Sequence, residues 1–253
     1  MITVKSPQEI ECMRRAGHIA GMALAAAGAA VRPGVMTREL NAVAHEVITK
    51  AGAKPSFLGY NKFPASICTS INEELIHGIP GRRRLLEGDI VSVDVGACFQ
   101  GFHGDCAATF AVGRISGEAR RLIDGTRASF FAAAAAVREG ARVSDISRAI
   151  QQTAENLGYS VVRKWTGHGV GRALHEPPDI PCFAEKSRGA RLVEGMTLAI
   201  EPMINLGDCN VELALDDVTV LTCDRKLCAH YEHTVLVTKD GYELLTYIEG
   251  KSI

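Results

Sequence analysis

Val91, Val93 and Val95 alternate with Ser92, Asp94 and Gly96, and Gln100-Gly101 then leads into a second stretch that reaches Asp105. β-Branched residues at period two, followed by turn chemistry, predict a β-hairpin, with Ser92, Asp94 and Gly96 on one face. A carboxylate within a valine strand is costly to bury unless it is paired, and a second carboxylate returning on the partner strand adds repulsion. A cation between Asp94 and Asp105 would relieve both penalties. The other reading places Asp94 on the wet face of an edge hairpin and makes Asp105 a turn cap.

The chain around this hairpin has 253 residues, 47% of them hydrophobic, enough to bury a large core in one domain or two closely packed halves. A net charge of -1 argues against a general nucleic-acid binder, so no DNA partner is expected. Eight cysteines without a CxxC pair fit a reducing cytoplasm and core packing better than a disulfide framework. The run from Met22 to Val31 imitates a signal peptide, but Glu9 and Glu11 precede it and helical periodicity passes through it. No stretch approaches the roughly 18 apolar residues that span a bilayer, so no membrane partner is expected.

Ser6-Pro7-Gln8-Glu9 has the form of a capping box, and Ile10, Met13, Gly17, Ala20, Gly21 and Leu24 follow at helical spacing. Arg32-Pro33-Gly34 ends that helix. Thr37 to Leu40 starts a second one, which stops at Gly52. The same grammar returns 106 residues later: Val31 to Gly34 aligns with Val137 to Gly140, Glu39-Leu40 with Asp145-Ile146, and Gly52 with Gly158. This predicts one domain, 1–253, of two α+β halves, about 1–120 and 121–253, with a pseudo-twofold and a cleft where their sheets meet. The join is expected as a surface turn at Arg114 to Arg121, entering a helix that carries Phe130 to Ala136.

The second half holds further ionisable residues in apolar or glycine-rich settings. His168 lies between Gly167 and Gly169 and His175 seven residues on, both expected in a loop where glycines admit backbone and substrate. Glu201 interrupts the strand-like run Thr197 to Ile204, and Pro202 limits that strand's pairing. His230 to Val237 reads as one strand with His230, Glu232 and Thr234 on one face and His233 on the other. The spacing of Cys223, Cys228, His230 and His233 does not match the usual zinc patterns.

Asp94, Asp105, Glu201 and Glu232, from strand-like runs, and His168, from its glycine-rich stretch, thus come from both halves. Four converging carboxylates would repel by several kcal/mol per pair even at an effective dielectric of about 20, and two divalent cations would balance them. An oxygen-rich set with one imidazole and no thiolate favours cobalt, manganese, iron(II) or zinc over copper(I). Two such ions can activate water for hydrolysis.

These five residues, with His-Gly-Ile-Pro at 77–80, Gly-His-Gly-Val-Gly at 167–171, Ile-Glu-Pro-Met at 200–203 and Tyr-Glu-His-Thr at 231–234, resemble type I methionine aminopeptidases over nearly the whole chain. The likeness is to the short bacterial form, without an N-terminal zinc-binding extension or the long type II insertion. It implies the α+β pita-bread fold: two pseudo-twofold-related halves with antiparallel sheet and flanking helices. It implies removal of the initiator methionine from nascent chains, preferentially before a small residue, by a cytoplasmic monomer. Asp94 would chelate one metal, His168 and Glu201 would bind the other, and Asp105 and Glu232 would bridge them. Glu201 would also shuttle the proton of the attacking water, while His77 and His175 would hydrogen-bond the substrate backbone and the tetrahedral intermediate.

The methionine pocket would comprise Phe57, Tyr60, Phe63, Cys68, Leu174 and Val218. Phe63, Leu174 and Val218 stand where the family often has tyrosine, phenylalanine and tryptophan, and Phe57 where it often has cysteine. These departures imply either compensated repacking or a shifted preference among apolar side chains. Two alternatives share the fold. An X-Pro aminopeptidase or dipeptidase has the same five ligands but usually an added N-terminal domain, for which a first helix starting at Ser6 leaves no room. A non-catalytic binding module would be expected to have lost several ligands. Arg82-Arg83-Arg84 is a candidate contact to ribosomal RNA, or simply a solvated loop.

Overall fold

The computed structural model describes residues 2–250. Its first half contains α1 (Pro7–Ala30), α2 (Thr37–Lys50), β1 (Lys54–Pro55), a 3-10 turn (Tyr60–Lys62), β2 (Ile67–Ile71), β3 (Glu74–Ile76), β4 (Ile90–Phe99) and β5 (Phe102–Ala111). There follow α3 (Gly117–Ala134), α4 (Val143–Asn156), β6 (Ser160–Val161), β7 (Thr166–Gly169), β8 (Glu176–Pro181), β9 (Thr197–Ile200) and β10 (Met203–Asn205). The last strands are β11 (Val211–Leu213), β12 (Val220–Thr222), β13 (Cys228–His230), β14 (Glu232–Val237) and β15 (Tyr242–Leu244).

Local chemistry sets the ends of the helices. Ser6 Oγ accepts from Glu9 N while the Glu9 carboxylate accepts from Ser6 N, the reciprocal cap expected from sequence. In α2 only the second half of that exchange is made, because Met36 holds the N-cap position and Thr37 is already helical; the Glu39 carboxylate accepts from Met36 N at 2.7 Å. Asp145 does the same for Arg142 N in α4. The expected join at 114–121 is half helix, since Ser116 caps α3 and Gly117 begins it.

The offset of the two halves is visible residue by residue. α2 and α4 are each 14 residues long, and the glycines that end the preceding and following turns share left-handed φ: Gly34 at 89° with Gly140 at 84°, Gly52 at 76° with Gly158 at 84°. Gly34 N donates to Leu85 O and Gly140 N to Leu192 O, so the chain returns to each helix start in the same way.

The main sheet runs β1-β4-β5-β14-β9-β7-β8, with β2 also on β4 and β15 also on β14. Two smaller sheets, β13-β10-β6 and β11-β12-β3, adjoin it. The β4/β5 hairpin forms as predicted, and Gln100 and Gly101, both at positive φ, make its turn. It is not at an edge: β2 and β14 flank it. α1 crosses β4 and β5, burying Met13, Gly17, Ala20, Gly21 and Leu24, and Ala23, Leu24 and Ala27 of the signal-like run face the core. The approach is close enough that a Cβ on Gly104 would fall 2.5 Å from Gly17 Cα.

Two strands expected to be continuous are broken. Thr197 to Ile204 divides into β9 and β10, leaving Glu201 and Pro202 between them, and His230 to Val237 divides at Tyr231. The breaks face one another: β9 pairs with β14 in the main sheet, β10 with β13 in a smaller one, and Tyr231 N donates to Pro202 O across the gap. Proline at 202 lacks the N–H that would continue the ladder. All eight cysteines are unpaired. Among the described residues, no helix is long and apolar enough to cross a membrane.

Candidate metal centre

Strand register brings the five candidate ligands to one face of the main sheet. Cys68 on β2 pairs with Asp94 on β4, Asp94 with Ala107 on β5, and Ala107 with Glu232 on β14, so one row carries two carboxylates with alanine between them. Glu201 follows Ile200, the partner of His233, and so arrives beside Glu232. A second row lies two residues away: Gly96 pairs with Asp105, Asp105 exchanges hydrogen bonds with Thr234 Oγ1, Thr234 pairs with Ala199, and Ala199 with His168. Glycine, alanine and threonine at the intervening positions leave room for ions.

His168 is on β7, not in a loop as the sequence suggested; His175 is in the loop that follows. The flanking glycines admit neighbouring backbone: a Cβ on Gly167 would meet Ala199 O at 2.5 Å and one on Gly169 would meet Pro177 O at 2.4 Å. His168 Nδ1 lies 2.9 Å from Gly169 O, so it carries the proton, and Nε2 is left with its lone pair. Nε2 is 3.5 Å from Glu201 Oε1 and 4.0 Å from Asp105 Oδ2. Asp105, His168 and Glu232, all buried, offer donor atoms within 4.8 Å of one another.

The electrostatics are those of a site built for positive charge. Burial pushes Asp94 up to about 7, and Glu201 adds to the rise. Burial and then neighbouring carboxylates also hold Asp105 and Glu232 well above the usual carboxylate range. Asp94 Oδ1, Asp105 Oδ1 and Glu232 Oε1 are buried without a hydrogen-bond partner among the described residues, an expensive condition for an acceptor. A divalent cation fits this donor set: it would engage the orphaned oxygens and offset the repulsion.

A cavity of about 870 Å³ opens onto these groups, and every candidate site residue lines it: the five candidate ligands, His77, His175, Phe57, Tyr60, Phe63, Cys68, Leu174 and Val218. Phe57, Cys68 and Leu174 form a buried apolar cluster with Phe63 packed on it. Burial, and then Asp94, raises the Cys68 thiol, so it is an apolar wall and not a thiolate. Tyr60 Oη lies 2.8 Å from His175 Nδ1, and the His175 ring sits 4.2 Å from that of His168, centroid to centroid. Desolvation and then His168 lower His175 to about 4, and burial lowers His77, so both are neutral near pH 7. Sequence reasoning missed Trp165, the only tryptophan, which lines the cavity and meets His77 edge-on at 5.2 Å.

The profile of metallopeptidase family M24 matches residues 11–239, and the chain belongs to that family. Within it, the chain is 50% identical to the methionine aminopeptidase of Clostridium acetobutylicum, covering 98% of this chain and 100% of the relative. It is 47% identical to methionine aminopeptidase 1 of Bacillus subtilis, with the same coverage. The crystal structure of methionine aminopeptidase from Thermotoga maritima superimposes with a TM-score of 0.96 at 42% identity, covering 98% of this chain and all of the other. Prolidase from Pyrococcus furiosus shares the pita-bread fold at a TM-score of 0.80 and 26% identity, but this chain covers only 66% of it.

Proposed function

We propose that this protein removes methionine from the N-termini of peptides and nascent chains, preferentially before a small residue. The observation that carries the reading is the meeting, in one cavity, of the carboxylate-histidine cluster, two neutral histidines and the apolar cluster of Phe57, Cys68 and Leu174. Asp94, Asp105, His168, Glu201 and Glu232 would hold two divalent cations of cobalt, manganese, iron(II) or zinc. When bound, such ions supply Lewis acidity and lower the pKa of water.

The chain's own groups do the rest. Glu201 accepts the proton of the attacking water and delivers it to the leaving amine. With Tyr60 Oη donating to Nδ1, His175 keeps its proton on Nε2, free for the substrate carbonyl, where negative charge grows in the transition state. His77, braced by Trp165, donates to the substrate backbone. The methionine side chain enters the wall of Phe57, Tyr60, Phe63, Cys68, Leu174 and Val218. Residues 1–253 act as one catalytic domain of two halves, about 1–120 and 121–253, monomeric and cytoplasmic. A ribosome contact through Arg82-Arg83-Arg84 has little support: Arg83 pairs with Glu74 at 2.7 Å and Arg84 donates to Gly34 O.

Peptides starting Met-Gly, Met-Leu and Ala-Pro, offered with each metal in turn, test the reading. Met-Gly should be cut fastest and Ala-Pro left intact. Cleavage of Ala-Pro in preference to Met-Gly would assign the X-Pro activity instead, and loss of no residue from any peptide would favour the binding module.

A further inference from the structure

A sixth side chain reaches the carboxylates. His230 ends β13, is 2% exposed, and has no hydrogen-bond partner at either Nδ1 or Nε2 among the described residues. An unsatisfied buried polar group costs about 1–3 kcal/mol, so an imidazole with two of them calls for an explanation. Its backbone is fixed on both sides: His230 N donates to Thr109 Oγ1, that hydroxyl donates back to His230 O, and His230 pairs with Met203. The ring is thereby held against the cluster, with Nε2 at 3.4 Å from Glu201 Oε2 and 3.9 Å from Glu232 Oε2.

Glu201 is therefore flanked by two imidazoles, His168 at Oε1 and His230 at Oε2, at nearly equal distances of 3.5 and 3.4 Å. Their remote nitrogens set them apart. His168 has its Nδ1 proton anchored on Gly169 O, which presents an Nε2 lone pair, as a metal-binding histidine requires. His230 Nδ1 has no acceptor, so nothing fixes the tautomer of a ligand, and its Nε2 is available as a donor. A carboxylate with one oxygen on a cation needs its other oxygen held if it is not to rotate.

We propose that His230 is a positioning residue of the metal centre, donating from Nε2 to Glu201 Oε2 and so keeping Oε1 turned toward the cation shared with His168. The inference rests on the metallopeptidase reading above. It gives the Glu201 oxygens different partners, Oε1 for the metal and Oε2 for the imidazole on the side away from His168, with a second Oε2 lone pair left to take the proton of the attacking water.

The test compares His230→Ala and His230→Gln with the wild type. Manganese is titrated into each chelator-treated protein while the thermal midpoint is followed, and visible spectra are taken of the cobalt-loaded forms. His230→Ala should need about 10–100-fold more manganese for half of the stabilisation, and lose kcat in the same range. His230→Gln, whose amide can donate to the same oxygen, should recover most of both. The cobalt bands of His230→Gln should coincide with those of the wild type, because no metal–nitrogen bond is lost. Unchanged manganese demand in His230→Ala would overturn the proposal, as would a failure of His230→Gln to recover it. A shift of the cobalt bands in His230→Gln would overturn it too, making His230 a ligand. If His230→Ala does not fold, the recovery and the spectrum of His230→Gln still decide. If the wild type itself gains no stability from manganese, the metal-centre reading fails, an outcome distinct from failure of the role given to His230.

Discussion

Glu201 carries the heaviest demand placed on any single side chain here, because the same carboxylate is given a metal and a proton. Glu201→Gln keeps the shape and removes both functions, so kcat should fall by at least about 10²-fold, measured on protein whose metal content is known. Wild-type turnover in a metal-replete variant would refute the assignment. His175→Ala separates the two kinds of role. It should leave metal stoichiometry unchanged and lower kcat by roughly 10–10³-fold, since only a donor to the developing oxyanion is lost; a parallel fall in metal content would make His175 a ligand. In the pocket, Leu174 is 3% exposed against Phe57 and Cys68, and Val218 adds no ring. Fewer rings offer fewer sulfur–aromatic contacts, each worth about 0.3–1.5 kcal/mol, so methionine and norleucine substrates should differ by less than about tenfold in kcat/KM. Leu174→Phe should widen that difference, and a large wild-type preference would show that Phe57 already grips the sulfur.

At the level of elements, α1 lies close over β5, where Gly104 faces the backbone of Gly17. A Cβ on Gly104 would stand 2.5 Å from both Gly17 N and Cα, and neither is a flexible side-chain end that could yield. Gly104→Ala should therefore destabilise by about 1–3 kcal/mol in urea unfolding. Gly241→Ala, where nothing lies within 4 Å, serves as the control and should be nearly neutral. What could be read from sequence here depended on local chemistry: the Ser6–Glu9 cap, the small-residue stripe of α1 and the β4/β5 turn each follow from residues close together. What could not be read depended on partners. The alternation through 197–204 and 230–237 runs on past Glu201 and Tyr231; Pro202 hints at one break, but the switch of each strand from one sheet to another is set by its partners. Hence His230 looked like a face-mate of Glu232 on one strand, and its approach to Glu201 from a separate sheet was invisible. Likewise His168 looked like a loop residue because its glycines, which make room for adjacent strands, have the composition of a turn.

For the whole molecule, the two halves meet through charge as well as packing. Each contributes to the buried cluster, Asp94 and Asp105 from the N-terminal part of the chain and His168, Glu201 and Glu232 from the C-terminal part. The consequence is a stability that depends on pH in opposite senses with and without metal. In metal-free protein Asp94 titrates at about 7, against a usual 3.8, and Asp105 and Glu232 are also raised. The native state then holds protons that the unfolded chain has lost. The stability this provides is complete below the unfolded carboxylate values and is lost as pH rises through the folded ones. His77, His103, His175 and His233, all lowered by burial, work the other way, because the same imidazoles in the unfolded chain are still giving up protons just above 6.5. In the window from pH 6.5 to 8 this opposes the carboxylates by at most about 0.4 kcal/mol per histidine, less than the three raised carboxyl groups lose together. Across it the chelated protein should lose roughly 1–3 kcal/mol as pH rises. With manganese in excess the trend should reverse, because the ion binds the deprotonated native cluster and adds stability in proportion to its occupancy. Melting curves at pH 6.5 and 8, with chelator and with manganese, give four midpoints, and the metal-loaded protein should melt higher at both. Slopes of the same sign, or a chelated protein as stable as the loaded one, would mean that the four carboxylates are not where the cation binds.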